Sequence, residues 1–180
     1  MRGIVLAVAG DREHNFAKPV REAIVLVPGI GVVGDAHSGP TVQHRSRLKR
    51  TPDAPNLRQV HLIPAELFDE LAQAGFTVGP GQLGENLTTR GIDLLDLPKG
   101  ARLRLGTSAL LEVTGLRNPC WQIDAFSPGL LAEMIEKRPD GSIMRKCGLM
   151  GVVETGGTIG QGAHIAVDLP PEPHRPLDLV

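Results

Sequence analysis

The 180-residue sequence has few aromatic residues: no tyrosine, one tryptophan and four phenylalanines. Proteins that hold single-stranded nucleic acid stack its bases on aromatic side chains. The formal net charge is −1, so the molecule as a whole does not attract polyanions either. We therefore expect no nucleic-acid partner.

Cysteine is also scarce, with Cys120 and Cys147 the only two in the chain. They are far apart in sequence and neither lies in a Cys-x-x-Cys motif, which argues against a tetrahedral zinc site. A disulfide between them stays open from the sequence, although it would be unusual in a cytosolic enzyme.

Long hydrophobic runs are absent. The longest run near the N-terminus covers residues 4–9, which is too short for the core of a signal peptide or for a membrane span. We therefore expect a cytoplasmic protein without membrane contact. Its length fits a single domain over residues 1–180.

Glycine and proline are abundant, with 22 and 15 residues respectively. Such frequent turn formers favour short strands joined by tight turns. Apolar, β-branched runs recur between the turns, and the run at residues 58–63 alternates with period two, as a half-buried strand does. The sequence therefore predicts a mainly β protein with a closed β-barrel. The predicted strands cover residues 4–8, 23–27, 58–63, 85–89, 101–105, 109–114, 149–154 and 164–167.

Two stretches predict helices that cover the outside of this barrel. Residues 64–75 begin with proline and end with glycine, and apolar side chains share one face. A second helix is predicted to begin at Ser127, a capping serine before a first-turn proline, and to carry an apolar stripe through Ile135 before it ends at Pro139. The proline-rich tail, residues 168–180, predicts an extended strap.

Residues 29–34 match the dinucleotide-binding pattern G-x-G-x-x-G and follow a predicted strand. That motif needs a helix N-terminus to hold a pyrophosphate. The segment that follows, Asp-Ala-His-Ser-Gly-Pro, is incompatible with a regular helix. We interpret these glycines as residues of tight turns.

Cys120 is the strongest candidate for chemistry. It follows a predicted strand, comes directly after Pro119 and lies three residues beyond Arg117. A thiolate is the form of cysteine that attacks or binds metals, and a nearby cation favours it. From chemistry alone a buried structural cysteine is an equal alternative, and the position in a turn favours function. We predict a core position for Cys147.

Asp35 and His37 follow the glycine-rich turn. The imidazole of His37 is suited to transfer a proton or bind a metal. The alternative is that Asp35 only caps the turn by accepting hydrogen bonds from backbone amides. His61 is predicted to be a barrel residue with satisfied hydrogen bonds.

Two further segments are candidates for ligand binding. The basic run at residues 44–50, which includes Arg45, is followed by Arg58, and arginines bind phosphate through two parallel hydrogen bonds. A solvated basic face is the alternative. Asn86 and Thr88 follow a glycine-rich turn that suits a heterocycle or a phosphate, or a plain hairpin corner.

Read together, these segments resemble the MOSC domain of free-standing bacterial proteins, which is related to the C-terminal domain of molybdenum-cofactor sulfurases. The resemblance runs from about residue 18 to residue 167. It implies a β-barrel of the pyruvate-kinase type, with the family's cysteine at Cys120 and cofactor contacts by Lys18 and Asn86. Many relatives have a Gly-Asp pair near the last strand, where this chain has Gly162 and Ala163. The matching landmarks are Lys18 and residues 34–37, 58–60, 84–88, 97–106 and 117–120.

The resemblance implies three alternative functions. The first is an oxidoreductase in which Cys120 ligates the molybdenum of molybdopterin and N-hydroxylated compounds are reduced with electrons from a separate donor protein. The catalytic residues would then be Cys120, His37 and Asp35. The cofactor would be bound by Lys18, Arg45, Arg58, Asn86, Thr88 and Arg117.

The second alternative is a sulfur carrier. A cysteine desulfurase, itself the holder of pyridoxal phosphate, would load Cys120 with a persulfide. The third alternative is a module that binds the cofactor without catalysis.

Overall fold

The computed structural model describes residues 1–180 apart from the side chain of Ser46. Its helices are α1 (Arg45–Leu48), α2 (Glu66–Gln73), α3 (Gln122–Phe126) and α4 (Leu130–Glu133). Its strands are β1 (Arg2–Ala9), β2 (Val20–Arg21), β3 (Ala23–Val27), β4 (Gly31–Val32), β5 (Val60–Pro64), β6 (Leu87–Arg90), β7 (Arg102–Leu105), β8 (Ala109–Leu116), β9 (Ile135–Lys137), β10 (Ile143–Arg145), β11 (Leu149–Thr155), β12 (Gly157–Gly160) and β13 (His164–Asp168).

Seven strands form a closed barrel in the order β13-β7-β8-β11-β5-β6-β1. Antiparallel pairing of β1 with β13 closes it, for example at Arg2 and Ala166. β5 and β6 are parallel, whereas the other neighbours are antiparallel. The predicted closed barrel is therefore confirmed, and each of the eight predicted strands is found within a few residues of its expected place.

Leucines and valines of the barrel strands fill the interior. From Ala109 to Val113 of β8 the side chains alternate between buried and half-buried positions, because successive residues of a strand point to opposite faces. Leu103, Leu111 and Val113 are completely buried. Burial of this apolar surface supplies the main favourable term in folding.

The prediction that residues 58–63 form a half-buried strand is wrong in one respect: every residue of β5 is buried. A second apolar core covers the outer face of this strand. In that core Ile63 packs with Leu67 of α2, Ile123 of α3 and Leu130 of α4. The helices therefore exclude water from the face that the alternating pattern assigned to solvent.

The helix predicted over residues 64–75 is confirmed by α2, whereas the one predicted from Ser127 to Pro139 is wrong. The chain there forms the one-turn helix α4, which Gly129 opens at a φ of +87°. Ile135 then begins β9, which pairs with β10, and its side chain is 47% exposed. Backbone pairing in this hairpin satisfies the groups that a longer helix would have satisfied internally.

The glycine-rich segment after β3 turns into the short strand β4, which pairs back with β3. Gly29, Gly31 and Gly34 all have positive φ, at +68°, +106° and +75°. A Cβ on Gly31 would lie 2.7 Å from the carbonyl oxygen of Gln59. The interpretation as a turn is confirmed, and the turn delivers Asp35 to the end of the barrel.

The tail runs along the end of β8. The amide of Leu116 donates to the carbonyl of Asp178 (2.8 Å), and the amide of Val180 donates to the carbonyl of Leu116 (3.3 Å). In the described chain, no helix has the length and apolar character that a bilayer crossing requires.

Candidate functional site

Asp35 is the centre of a buried polar cluster where β1 ends and β6 begins. Its Oδ2 lies 2.8 Å from Nζ of Lys18, and both side chains are nearly inaccessible, 1% and 3% exposed. Asn86 donates from Nδ2 to the same oxygen (3.0 Å). The Oδ1 atom accepts hydrogen bonds from the backbone amide of His37 (2.9 Å) and from its Nδ1 (3.2 Å).

These contacts determine the ionisation of the cluster. Burial by itself raises the pKa of Asp35, but the hydrogen bond from His37 and the ammonium of Lys18 outweigh it and hold that pKa well below its usual range. Burial lowers the pKa of Lys18, with Asp35 opposing the shift. Burial likewise lowers the pKa of His37, again opposed by Asp35. Asp35 is therefore a carboxylate that orients two basic groups.

The orientation of His37 follows from this carboxylate. A carboxylate only accepts hydrogen bonds, so the Nδ1 of His37 carries the proton in the contact with Asp35. Nε2 is then the ring atom left to exchange a proton or bind a ligand. Asp35 caps the turn through the backbone amide of His37, which is the alternative considered for it, and it also contacts the imidazole. The role of His37 in proton transfer stays a prediction.

Asn86 uses its amide within the protein. Besides its bond to Asp35, Nδ2 donates to the carbonyl of Ala9 (3.2 Å), and Oδ1 accepts from the backbone amide of His61 (3.1 Å). The side chain thus ties β1, β5 and the cluster together. Its predicted contact with a cofactor stays a prediction.

Thr88 belongs to a support beneath this cluster. Its hydroxyl donates to Oε1 of Glu85 (3.0 Å), a fully buried carboxyl that also accepts the backbone amides of Gly81 and Leu83. Burial raises the pKa of Glu85, and these hydrogen bonds oppose the shift. Glu85 thereby fixes the loop at Gly81, and the carbonyl of Gly81 accepts a hydrogen bond from the backbone amide of Lys18 (2.8 Å). Sequence reasoning included Glu85 in the landmark at residues 84–88 but gave it no role, because nothing in its spacing distinguishes it from a surface acid.

A group of cations surrounds the cluster. Burial lowers the pKa of Arg58 to about 10, and the neighbouring guanidinium groups of Arg47 and Arg117 lower it further. Nε of Arg58 and Nη1 of Arg117 are buried and have no hydrogen-bond partner among the described residues. Buried donors of this kind are uncommon in folded proteins. Both atoms are suited to an anionic acceptor that the chain itself does not supply.

Three histidines lie close together beside these arginines. The ring of His37 lies 4.5 Å from that of His44 and 5.0 Å from that of His14, measured between centroids. Burial lowers the pKa of His44 to about 2, and the charges of His37, Arg58 and Arg117 lower it further. His44 is therefore neutral at physiological pH. His44 lies in the basic run singled out from the sequence and is the N-cap of α1, but sequence spacing does not show that it meets His37.

Arg45 lies at the exposed start of α1. Arg47, and not the predicted Arg45, lines a small cavity of about 150 Å³ together with His44 and Arg58. Because an α-helix has 3.6 residues per turn, side chains two positions apart, such as those of Arg45 and Arg47, point in nearly opposite directions. The charge run alone does not contain this distinction.

His61 lies in β5, as predicted, but only part of its hydrogen-bonding capacity is used. Nε2 donates to the carbonyl of Cys147 (2.7 Å), whereas Nδ1 is buried without a hydrogen-bond partner in the described structure. The prediction of a satisfied side chain is therefore wrong for one ring nitrogen. Burial holds the pKa of His61 well below its usual value.

Cys120 lies on the turn between β8 and α3. It is half-buried, and its thiol donates to Oε1 of Gln122 (3.6 Å). Cys147 is buried in the second core, and burial raises the pKa of its thiol to about 12. Both cysteines are free. The core position predicted for Cys147 is confirmed, which leaves Cys120 as the accessible thiol.

The site residues thus come from separate parts of the chain. Loops deliver Lys18, Asp35 and His37, while Arg58 and Arg117 adjoin β5 and β8. Among the described residues, no group of three or more histidine, cysteine, aspartate or glutamate side chains is arranged to hold a metal ion. A metal bound by the thiolate of Cys120 would therefore need further ligands that these side chains do not supply.

Fold and site together define a β-barrel protein with a partly buried cationic site and a free thiol on a neighbouring turn. The family model of the MOSC domain matches residues 35–166. The chain therefore belongs to the MOSC domain family, as the sequence landmarks indicated.

Solved structures agree with this fold. The YuaD protein from Bacillus subtilis is 24% identical with a TM-score of 0.78, over 95% of this chain and 98% of that one. YiiM from Escherichia coli is 22% identical with a TM-score of 0.64, over 97% of this chain and 73% of that one. YiiM from Geobacillus stearothermophilus is 18% identical with a TM-score of 0.61, over 93% and 75%. Among curated proteins no match was found.

Proposed function

We propose that this protein binds a phosphate-bearing pterin cofactor of molybdenum, with Cys120 as the protein ligand, and reduces N-hydroxylated compounds. The observation that carries the proposal is the pair of unpartnered, buried guanidinium nitrogens, on Arg58 and Arg117, beside Lys18 and two histidines. A phosphate oxygen accepts the hydrogen bonds that these donors lack. The donor set of the site therefore fits the phosphate end of the cofactor.

Cys120 fits the metal end. A thiolate is a soft ligand of the kind that binds transition metals, and the half-buried Cys120 is more accessible than the fully buried Cys147. Molybdenum, when bound, supplies the two-electron reduction chemistry that no side chain of this protein supplies.

The remaining residues position groups and move protons. Asp35 holds the Nδ1–H of His37, which leaves Nε2 to accept a proton from solvent and pass it to the leaving hydroxyl of the substrate. Lys18 neutralises Asp35 and lies near the phosphate-binding Arg117. Cys120, His37 and Asp35 retain the catalytic and positioning roles predicted for them, and Arg58, Arg117 and Lys18 retain the binding role.

The metal content of purified variants tests the proposal. We expect molybdenum in the wild-type protein and in Cys147→Ala, both expressed in a host that makes molybdopterin, and its loss in Cys120→Ala. Cys147→Ala is the matched control because it removes the other thiol. Molybdenum that is retained by Cys120→Ala, or absent from all three proteins, would contradict the proposal.

The accessibility of the Cys120 thiol favours a second candidate function, a sulfur carrier with a persulfide on Cys120. The neighbouring Trp121 is 74% exposed, so a desulfurase can approach this turn. Mass spectrometry after incubation with a cysteine desulfurase and cysteine would show an added sulfur atom on the peptide that contains Cys120. An unmodified peptide excludes this candidate.

A further inference from the structure

A groove of about 540 Å³ lies between the β9–β10 hairpin and the C-terminal strap. Arg138, Ile143 and Arg145 of the hairpin segment line one side, and Arg175 of the strap lines the other. The groove is not part of the cationic site described above. No residue of the proposed function lines it.

The groove carries more positive than negative charge. Its lining contains Arg138, Arg145 and Arg175 but a single carboxylate, Asp96. Within the described part of the chain, none of these three arginines has a carboxylate within 4.0 Å. Three arginines of the barrel strands are instead each paired with an acid: Arg90, Arg102 and Arg104.

Apolar side chains lie among these cations. Ile143 is 51% exposed at the groove, and Leu177 and Leu116 also line it. Arginine is enriched at protein–protein interfaces, and the buried centre of such an interface is more apolar than the rest of the surface. A small anion would gain little from charges that face water, whereas an acidic protein surface would contact all three arginines together.

The groove adjoins the segment of the free thiol. Leu116, which lines it, is four residues before Cys120, so their Cα atoms are at most about 14 Å apart. Arg145 is two residues before Cys147. The amide of Arg117 donates to the carbonyl of Gly148 (3.0 Å), which joins the two segments beside the site.

We propose that this groove docks a small acidic one-electron carrier protein that supplies the electrons for the reaction. The inference rests on the proposed function. Reduction of a hydroxylamine is balanced as R–NHOH + 2 e⁻ + 2 H⁺ → R–NH₂ + H₂O. The N–O bond breaks, two molecules of reduced carrier are each oxidised by one electron, and solvent supplies the protons.

Direct binding tests the docking site without any need for turnover. The probe is an oxidised plant-type [2Fe–2S] ferredoxin, added to the protein at low ionic strength and again at high salt. We expect salt-sensitive binding that Arg138→Glu/Arg175→Glu weakens at least about tenfold, because charge reversal at an interface slows association and removes its salt dependence. Arg2→Glu/Arg104→Glu, with the same change in charge outside the groove, is the control and should bind as the wild type does.

The outcomes separate docking from the proposed function. No ferredoxin binding, or equal weakening by the control and the groove variant, would overturn the docking site. Turnover of an N-hydroxylated substrate with reduced methyl viologen, which needs no protein interface, tests the proposed function independently. A protein that turns over with methyl viologen but binds ferredoxin equally well with and without Arg138 and Arg175 keeps its function and loses the docking site.

Discussion

At the scale of single residues, the Lys18–Asp35 pair combines stability with function. Both groups are buried and meet at 2.8 Å, and the removal of one member of such a pair leaves an uncompensated buried charge. The same carboxylate orients His37. The position of His37 therefore depends on a residue whose loss also weakens the fold.

We predict that Asp35→Asn lowers the free energy of unfolding by about 3 kcal/mol at neutral pH. The pKa of Asp35 is lower in the folded than in the unfolded protein. Asp35 therefore contributes its full stabilisation at pH values above its pKa in the unfolded protein, about 4. That stabilisation is lost as the pH falls through its pKa in the folded protein. Urea unfolding at pH 7 and at decreasing pH should show the gap between wild type and variant narrowing.

The matched control for this prediction is Asp69→Asn, which removes an exposed ion pair with Arg90. Solvent screens such pairs, so little change in stability is expected. If Asp35→Asn and Asp69→Asn lowered the free energy of unfolding equally, burial of the Lys18–Asp35 pair would have no energetic consequence.

At the scale of secondary-structure elements, Gly148 controls how β11 joins the barrel. Its φ is +78°, and a Cβ there would lie 2.0 Å from the carbonyl oxygen of Leu62 in β5. Its own carbonyl accepts the amide of Arg117. A side chain at this position would separate β11 from β5 and displace Arg117 at the same time.

Gly148→Ala and Gly75→Ala form a matched pair of substitutions. Both glycines have positive φ, which costs a residue with a side chain about 1–2 kcal/mol, but a Cβ on Gly75 meets nothing within 4 Å. We predict that Gly148→Ala destabilises the protein by about 2 kcal/mol more than Gly75→Ala, through the steric conflict with Leu62. The two free energies of unfolding, measured in urea, check this, and similar losses would contradict it.

At the scale of the whole molecule, the barrel brings charged groups from distant parts of the chain into one buried region. Arg58 and Arg117 are 59 residues apart in sequence, yet the charge of Arg117 helps to lower the pKa of Arg58. A ligand that compensates this charge binds only the folded protein. It must therefore stabilise the whole fold.

We predict that inorganic pyrophosphate raises the melting temperature. At ten times the dissociation constant, the free energy of unfolding rises by about 1.4 kcal/mol, equivalent to about 4 °C for a protein of this size. Arg58→Leu/Arg117→Leu should lose this shift, whereas Arg102→Gln, at an exposed ion pair, should keep it. Thermal unfolding at constant ionic strength measures the shift, and a shift retained by the double variant would exclude these arginines as the binding site.

The sequence by itself determined much of the architecture. Glycine and proline marked the turns, and β-branched runs between them predicted the strands, because both signals act over a few neighbouring residues. The landmarks of the MOSC domain were also readable, since the turn that carries Asp35 and the turn that carries Cys120 are continuous in sequence.

Only the tertiary structure decided which polar residues meet and which strand faces are covered. Contacts such as Lys18 with Asp35, or Arg47 rather than Arg45 beside Arg58, join residues that no sequence period relates. The complete burial of β5 depends on helices that pack from elsewhere in the chain, and the exposure of Ile135 depends on pairing with β10. Local patterns report the faces of one element, whereas burial and charge at the site are set by the neighbours that the closed barrel brings together.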